Sequence, residues 1–89
     1  MTPIDDFTKE QLANFGKRLR EFRKAKGFSN QEHFAFRFDI PRAQYSRYER
    51  GGNITFVSLL RILRILEVPL EEFFKEGFDP YPDKDEKSK

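Results

Sequence analysis

The sequence predicts an all-α protein of five helices, and three observations carry that prediction. Apolar residues recur at spacings of three and four along much of the chain. Ser, Thr or Asn stands where helices should begin, twice with Gln or Glu a turn later. Gly or Pro closes each candidate helix.

Taken in order, "TKEQ" (Thr8–Gln11) fits a capping box, with Thr8 as the expected cap. Leu12, Phe15, Leu19 and Phe22 then form one apolar stripe, which should end near Gly27. Lys17, Arg20 and Lys24 fall opposite that stripe and Arg23 falls at its margin; a solvated face is expected for the first three. The second helix should start at Ser29 or Asn30, turn Phe34, Ala35 and Phe38 inward, and end at Pro41, whose fixed φ prepares the start of a third helix over about Arg42–Arg50. Helix, short turn and helix is the helix-turn-helix motif. Thr55 can cap a fourth helix with Phe56, Leu59, Ile62, Leu63 and Leu66 inward, leaving Val57, Leu60 and Ile65 as surplus apolar surface. Pro69 interrupts it, and a short fifth helix should turn Phe73 and Phe74 inward. The expected organisation is an N-terminal arm (1–8), a folded domain (9–76) and a mobile charged tail (77–89), whose Phe78 and Tyr81 could pack back on the domain although nothing in the spacing demands it.

Composition narrows the function. One domain of 89 residues must build its core on 11 Phe, without Trp or Cys. No thiolate zinc site, disulfide or cysteine nucleophile is therefore possible. No apolar run reaches the ~20 residues of a membrane span, and the N-terminus lacks a signal-peptide pattern, so an intracellular protein is expected. His33 is isolated and reads as a solvated helix residue, so no metal site is expected. With neither paired carboxylates in an apolar setting nor a Gly-rich phosphate loop, neither an enzyme nor a cofactor is expected. Charge is uneven. Residues 9–50 carry 11 Lys/Arg against 5 Asp/Glu, whereas residues 71–89 carry 4 against 7, in a chain of net charge +2. The basic part suits a polyanion, though ordinary solvated charge would look the same.

The third helix favours the polyanion. In "SNQEHFAFRFDIPRAQYSRYERG", Tyr45 and Tyr48 share one side of that helix, while Arg42, Ala43, Ser46, Arg47 and Arg50 spread over the other. Gln44 and Glu49 flank the divide, and Glu49 is the acidic partner that the helix itself offers the arginines. Tyrosines can anchor the helix while arginines project outward, where they can contact phosphates or bind guanine in two places.

Together "GKRLREFRKAKGFSNQEHFA", "SRYERGGNIT" and "LLRILRILEVPLEEFF" resemble the Cro and phage-repressor type of helix-turn-helix domain, the XRE family, over about Leu12–Glu76. The resemblance implies a compact five-helix bundle of the lambda-repressor-like type, helices two and three forming the motif and the third entering the major groove. It also implies roles. Arg42, Ala43 and Arg47 match base-reading positions, and Gln44 and Ser46 match positions that touch bases or backbone. Asn30, Gln31, Arg50 and Asn53 match the segments along the phosphates. Arg23 and Glu49 match a structural ion pair. Pro41 departs from the usual Ser or Thr cap, Phe36 from a commonly polar position, Ile54 from a common proline, and His33 from a usually acidic or polar residue.

The expected function is a sequence-specific double-stranded DNA-binding transcriptional regulator, a repressor, cytoplasmic and bacterial or phage-encoded. It is expected to act as a homodimer on a near-palindromic operator. The alternative use of the same fold is an antitoxin or a protein-interaction module with a toxin or other protein partner.

Overall fold

A computed structural model describes residues 4–81. Five helices follow one another: α1 (Asp6–Ala25), α2 (Gln31–Arg37), α3 (Arg42–Glu49), α4 (Phe56–Leu66) and α5 (Leu70–Phe73), with no strand among the described residues. Residues 1–3 of the expected arm and 82–89 of the expected tail lie outside the described residues.

Helix α1 starts earlier than the capping box suggested. Asp5, not Thr8, is the cap: its carboxylate accepts from the Thr8 backbone N–H at 2.8 Å, so Thr8 lies inside the first turn. Two adjacent carboxylates, Asp5 and Asp6, also complement the positive end of the helix dipole. After α1 the chain turns through Gly27 at φ +106°, a conformation that favours glycine. Asn30 caps α2, accepting from the Glu32 and His33 N–H groups at 2.6 and 3.2 Å. Between α2 and α3, Asp39 takes a left-handed φ of 59° and Ile40 N–H donates to the Ala35 carbonyl at 2.8 Å, which makes the turn tight. Pro41 stands just before α3, in the cap position, and supplies no side-chain cap, so the helix starts at Arg42 as expected. Thr55 caps α4, accepting from Ser58 N–H at 3.1 Å.

The core is aromatic at both ends. Phe15, Phe22 and Phe73 meet with centroids 5.4–5.7 Å apart, and Phe34 meets Phe28, Phe38 and Tyr45 at 5.0–5.5 Å. Leu19 is buried in the same core with Leu59, Ile62, Leu63 and Leu66 of α4. Two expected core residues are outside it. Phe56 is 60 % exposed because it opens α4, beyond the turns that face the other helices, and Phe74 is 45 % exposed because α5 ends before it. Phe36 is 89 % exposed.

Two contacts fix α1 against the rest of the bundle. Gly16 lies so close to α3 that a Cβ there would sit 2.3 Å from the Glu49 carbonyl oxygen. Arg18 is buried. Its Nε and Nη2 donate to the Phe73 and Glu72 carbonyls at 2.7 and 2.8 Å, taking up acceptors at the end of α5, and its guanidinium lies over the Phe22 ring. Residues 77–81 run back along α1: Phe78 packs on Phe73 and Phe74, Tyr81 approaches Phe7, and Asp79 exchanges hydrogen bonds with Gln11.

Candidate nucleic-acid interface

Helix α3 has two unlike faces. Tyr45, Tyr48 and Glu49 are buried, whereas Arg42, Ala43, Arg47 and Arg50 are exposed. Both α1 and α2 pack on its inner side. With eight residues it would be marginal alone, so this packing and its polar anchor hold it in place.

That anchor is a buried network around Glu49. Arg23 Nε donates to Oε2 at 2.7 Å and Nη2 to Oε1 at 3.1 Å. The Tyr45 hydroxyl donates to Oε2 at 2.6 Å and Gln31 Nε2 to Oε1 at 2.8 Å. Arg23 Nη1 also donates to the Phe28 carbonyl at 2.7 Å, tying the α1–α2 turn to the same group. Among the described residues no buried side-chain polar atom lacks a partner. Burial pushes the Glu49 carboxyl up, but the hydrogen bonds from Arg23, Tyr45 and Gln31 together hold it below the ordinary glutamate range. The hydrogen bond to Glu49 outweighs burial and raises the Arg23 pKa. Burial, and then the bond to Glu49, push the Tyr45 hydroxyl well up. Glu49 is therefore an anion at neutral pH, and Tyr45 a neutral donor to it.

Outside this anchor the predicted residues separate into groups. Gln31, Arg42, Ala43, Ser46 and Arg50 line one shallow depression between the start of α2 and the outer face of α3, together with Glu32. Arg47 is exposed further round α3, and its side chain and that of Arg50 make no hydrogen bond or ion pair among the described residues. Asn53 is exposed in the loop after α3. Asn30 and Gln31 share a second depression with Arg20 and Lys24, so these two cations, exposed as expected, also stand beside the motif. Arg20 Nε is also 3.7 Å from Glu49 Oε1. Gln44 is turned aside: its amide donates to the Tyr48 hydroxyl, and it borders a cleft with Ser58 and Arg61 of α4.

One partner was missed altogether. Arg42 Nη1 donates to Glu32 Oε2 at 3.0 Å, an ion pair across the turn of the motif. A wheel drawn for α3 alone cannot show it, because Glu32 belongs to α2. Among the described residues no group of His, Cys, Asp or Glu could hold a metal ion, and no helix is long and apolar enough to cross a membrane.

A recognition helix anchored on one side and cationic on the other, preceded by a second helix at a tight turn, defines a helix-turn-helix domain. The chain belongs to that family: the helix-turn-helix family model matches residues 19–73. It is 38 % identical over 63 residues to the control protein C.MunI of a Mycoplasma species, covering 70 % of this chain and 85 % of that protein. The crystal structure of the restriction-modification controller protein C.AhdI from Aeromonas hydrophila is similar at a TM-score of 0.62 and 39 % identity, over 71 % of this chain and 96 % of that one.

Proposed function

We propose that this protein is a sequence-specific regulator of transcription that lays α3 in the DNA major groove and controls the genes of a restriction-modification system. The observation that carries the reading is the two-sided α3, whose arginines project from a helix fixed by buried contacts. Arg42, Ala43 and Arg47 read base edges, with Ser46 beside them; Asn30, Gln31, Arg50 and Asn53 follow the phosphates. Gln44 serves the position of Tyr48 in the free protein and reaches bases only by releasing that bond. The restriction-modification setting comes from C.MunI and C.AhdI, a control protein and a controller protein by name. Such a regulator acts in the cytoplasm, needs no catalytic group, and represses by occupying an operator.

Eight residues of recognition helix read few base pairs, and α4 leaves Phe56, Val57 and Leu60 exposed. A homodimer meeting through these residues would place two copies of α3 on a near-palindromic operator, its half-sites about 10 bp or a small multiple apart. The same apolar residues are what a protein partner such as a toxin would use, and one experiment separates the readings. Purified, folded protein is mixed with a library of random duplexes and the retained DNA is sequenced. A two-fold symmetric motif is expected. Retention of nothing above background would contradict DNA reading and favour the protein partner.

A further inference from the structure

We infer that Glu32 is a specificity-determining residue, which holds Arg42 for a base edge and keeps it off the phosphates. The inference rests on the DNA-binding reading above. Glu32 stands at the second position of α2 and Arg42 at the first of α3, one on each side of the turn, and their side chains meet at 3.0 Å. They are 62 % and 68 % exposed. A pair so open to water adds little to stability, so holding the fold is not its main effect.

Its effect is on what Arg42 can bind. A guanidinium already paired with a carboxylate carries little net charge, and moving it to a phosphate would press the carboxylate against the phosphate oxygens. Base edges are uncharged and impose no such cost. With Nη1 engaged by Glu32, Nε and Nη2 remain as two parallel donors, and neither has a partner among the described residues. Two parallel donors are what guanine O6 and N7 accept. Arg47 and Arg50 have no such carboxylate, so they keep their full charge. Glu32 lines the same depression as Arg42, Ala43, Ser46 and Arg50, so it also faces the DNA when α3 does. A carboxylate there repels phosphates whenever the helix lies out of register, which discriminates by penalising the wrong complex.

Glu32→Gln tests this directly, because it keeps the shape and an acceptor oxygen and removes the charge. Affinities of wild type, Glu32→Gln and Arg42→Ala would be measured by fluorescence anisotropy over a range of salt. The probes are the selected duplex, that duplex changed at the base pair where Arg42→Ala loses its preference, and a random duplex. Thermal melting of each variant confirms that it is folded. Glu32→Gln is expected to bind the random duplex several-fold more tightly and to steepen its log–log salt slope by about one. It should lose about tenfold of the discrimination at the pair read by Arg42. Arg42→Ala is expected to lose the same discrimination with its salt slope nearly unchanged. Undiminished discrimination in Glu32→Gln, or an equal change on every duplex, would overturn the inference while leaving DNA binding intact. Absence of any preference in wild type would overturn the DNA-binding reading, and this inference with it.

Discussion

The two faces of α3 are eight residues long, adjacent in sequence and opposite in character. On the inner face every buried polar side-chain atom among the described residues has a partner, and Glu49 alone accepts four hydrogen bonds from three residues. On the outer face the side chains of Arg47 and Arg50 make no hydrogen bond or ion pair among the described residues, and the one ion pair, Arg42 with Glu32, is open to water. On the proposed function, the difference teaches where so small a domain would hold its specificity. Unmet hydrogen-bonding capacity is tolerable only where water can supply it, so the residues left unsatisfied are those available to a ligand. On that reading, rigidity on one side would make the other side selective, since arginines on a loosely held helix would find phosphates in any register.

The comparison breaks most completely at the anchor. Glu49→Gln leaves Arg23 as a nearly buried cation without its counter-charge, so stability should fall by about 3–5 kcal/mol, measured by urea denaturation. A loss below about 1 kcal/mol would show that the network is dispensable. The same group predicts an acid dependence. Its folded pKa lies below the ordinary 4.5, so the unfolded chain takes up this proton first. The stability Glu49 contributes is whole above that value and disappears as pH falls through the folded pKa. Midpoints measured from pH 7 to pH 3 should show this decline in wild type, and the Glu49→Gln variant should lose that part of it.

Gly16→Ala attacks the same interface from α1. The new methyl would press on the Glu49 carbonyl, so a loss of about 1–3 kcal/mol is expected despite alanine's better helix propensity. A gain would mean that α1 and α3 separate freely. Thr55→Ala removes the α4 cap and should cost about 1 kcal/mol while leaving DNA affinity per folded molecule unchanged.

Much of this arrangement was legible in the sequence because helical periodicity is local. The stripe through Phe15 and Leu19, the tyrosines of α3 and the caps Asn30 and Thr55 all follow from residues within a turn or two of each other. What escaped was either competitive or between helices. Asp5 and Thr8 can each cap α1, and local sequence does not rank them. Arg18 falls on the wheel beside Phe22, at the margin of the apolar stripe opposite to Arg23's, and that was the signal for a buried arginine; its carbonyl partners on α5 are more than 50 residues away. The Arg42–Glu32 pair and the approach of Arg20 to Glu49 both depend on how α2 is set against its neighbours. Phe56 and Phe74 obeyed the periodicity but stand at or beyond a helix end, where it no longer predicts a neighbour.

Arg47→Ala, measured for stability and for operator affinity in the same preparation, tests the division of α3 most directly. We predict a melting temperature within about 2 °C of wild type, because Arg47 is exposed and its side chain makes no hydrogen bond or ion pair among the described residues. Operator binding should be weaker by about 1–3 kcal/mol, with preference relaxed at one base pair. An unchanged affinity, or a loss of binding explained by a loss of folding, would contradict the claim that the outer face of α3 reads DNA independently of the anchor behind it.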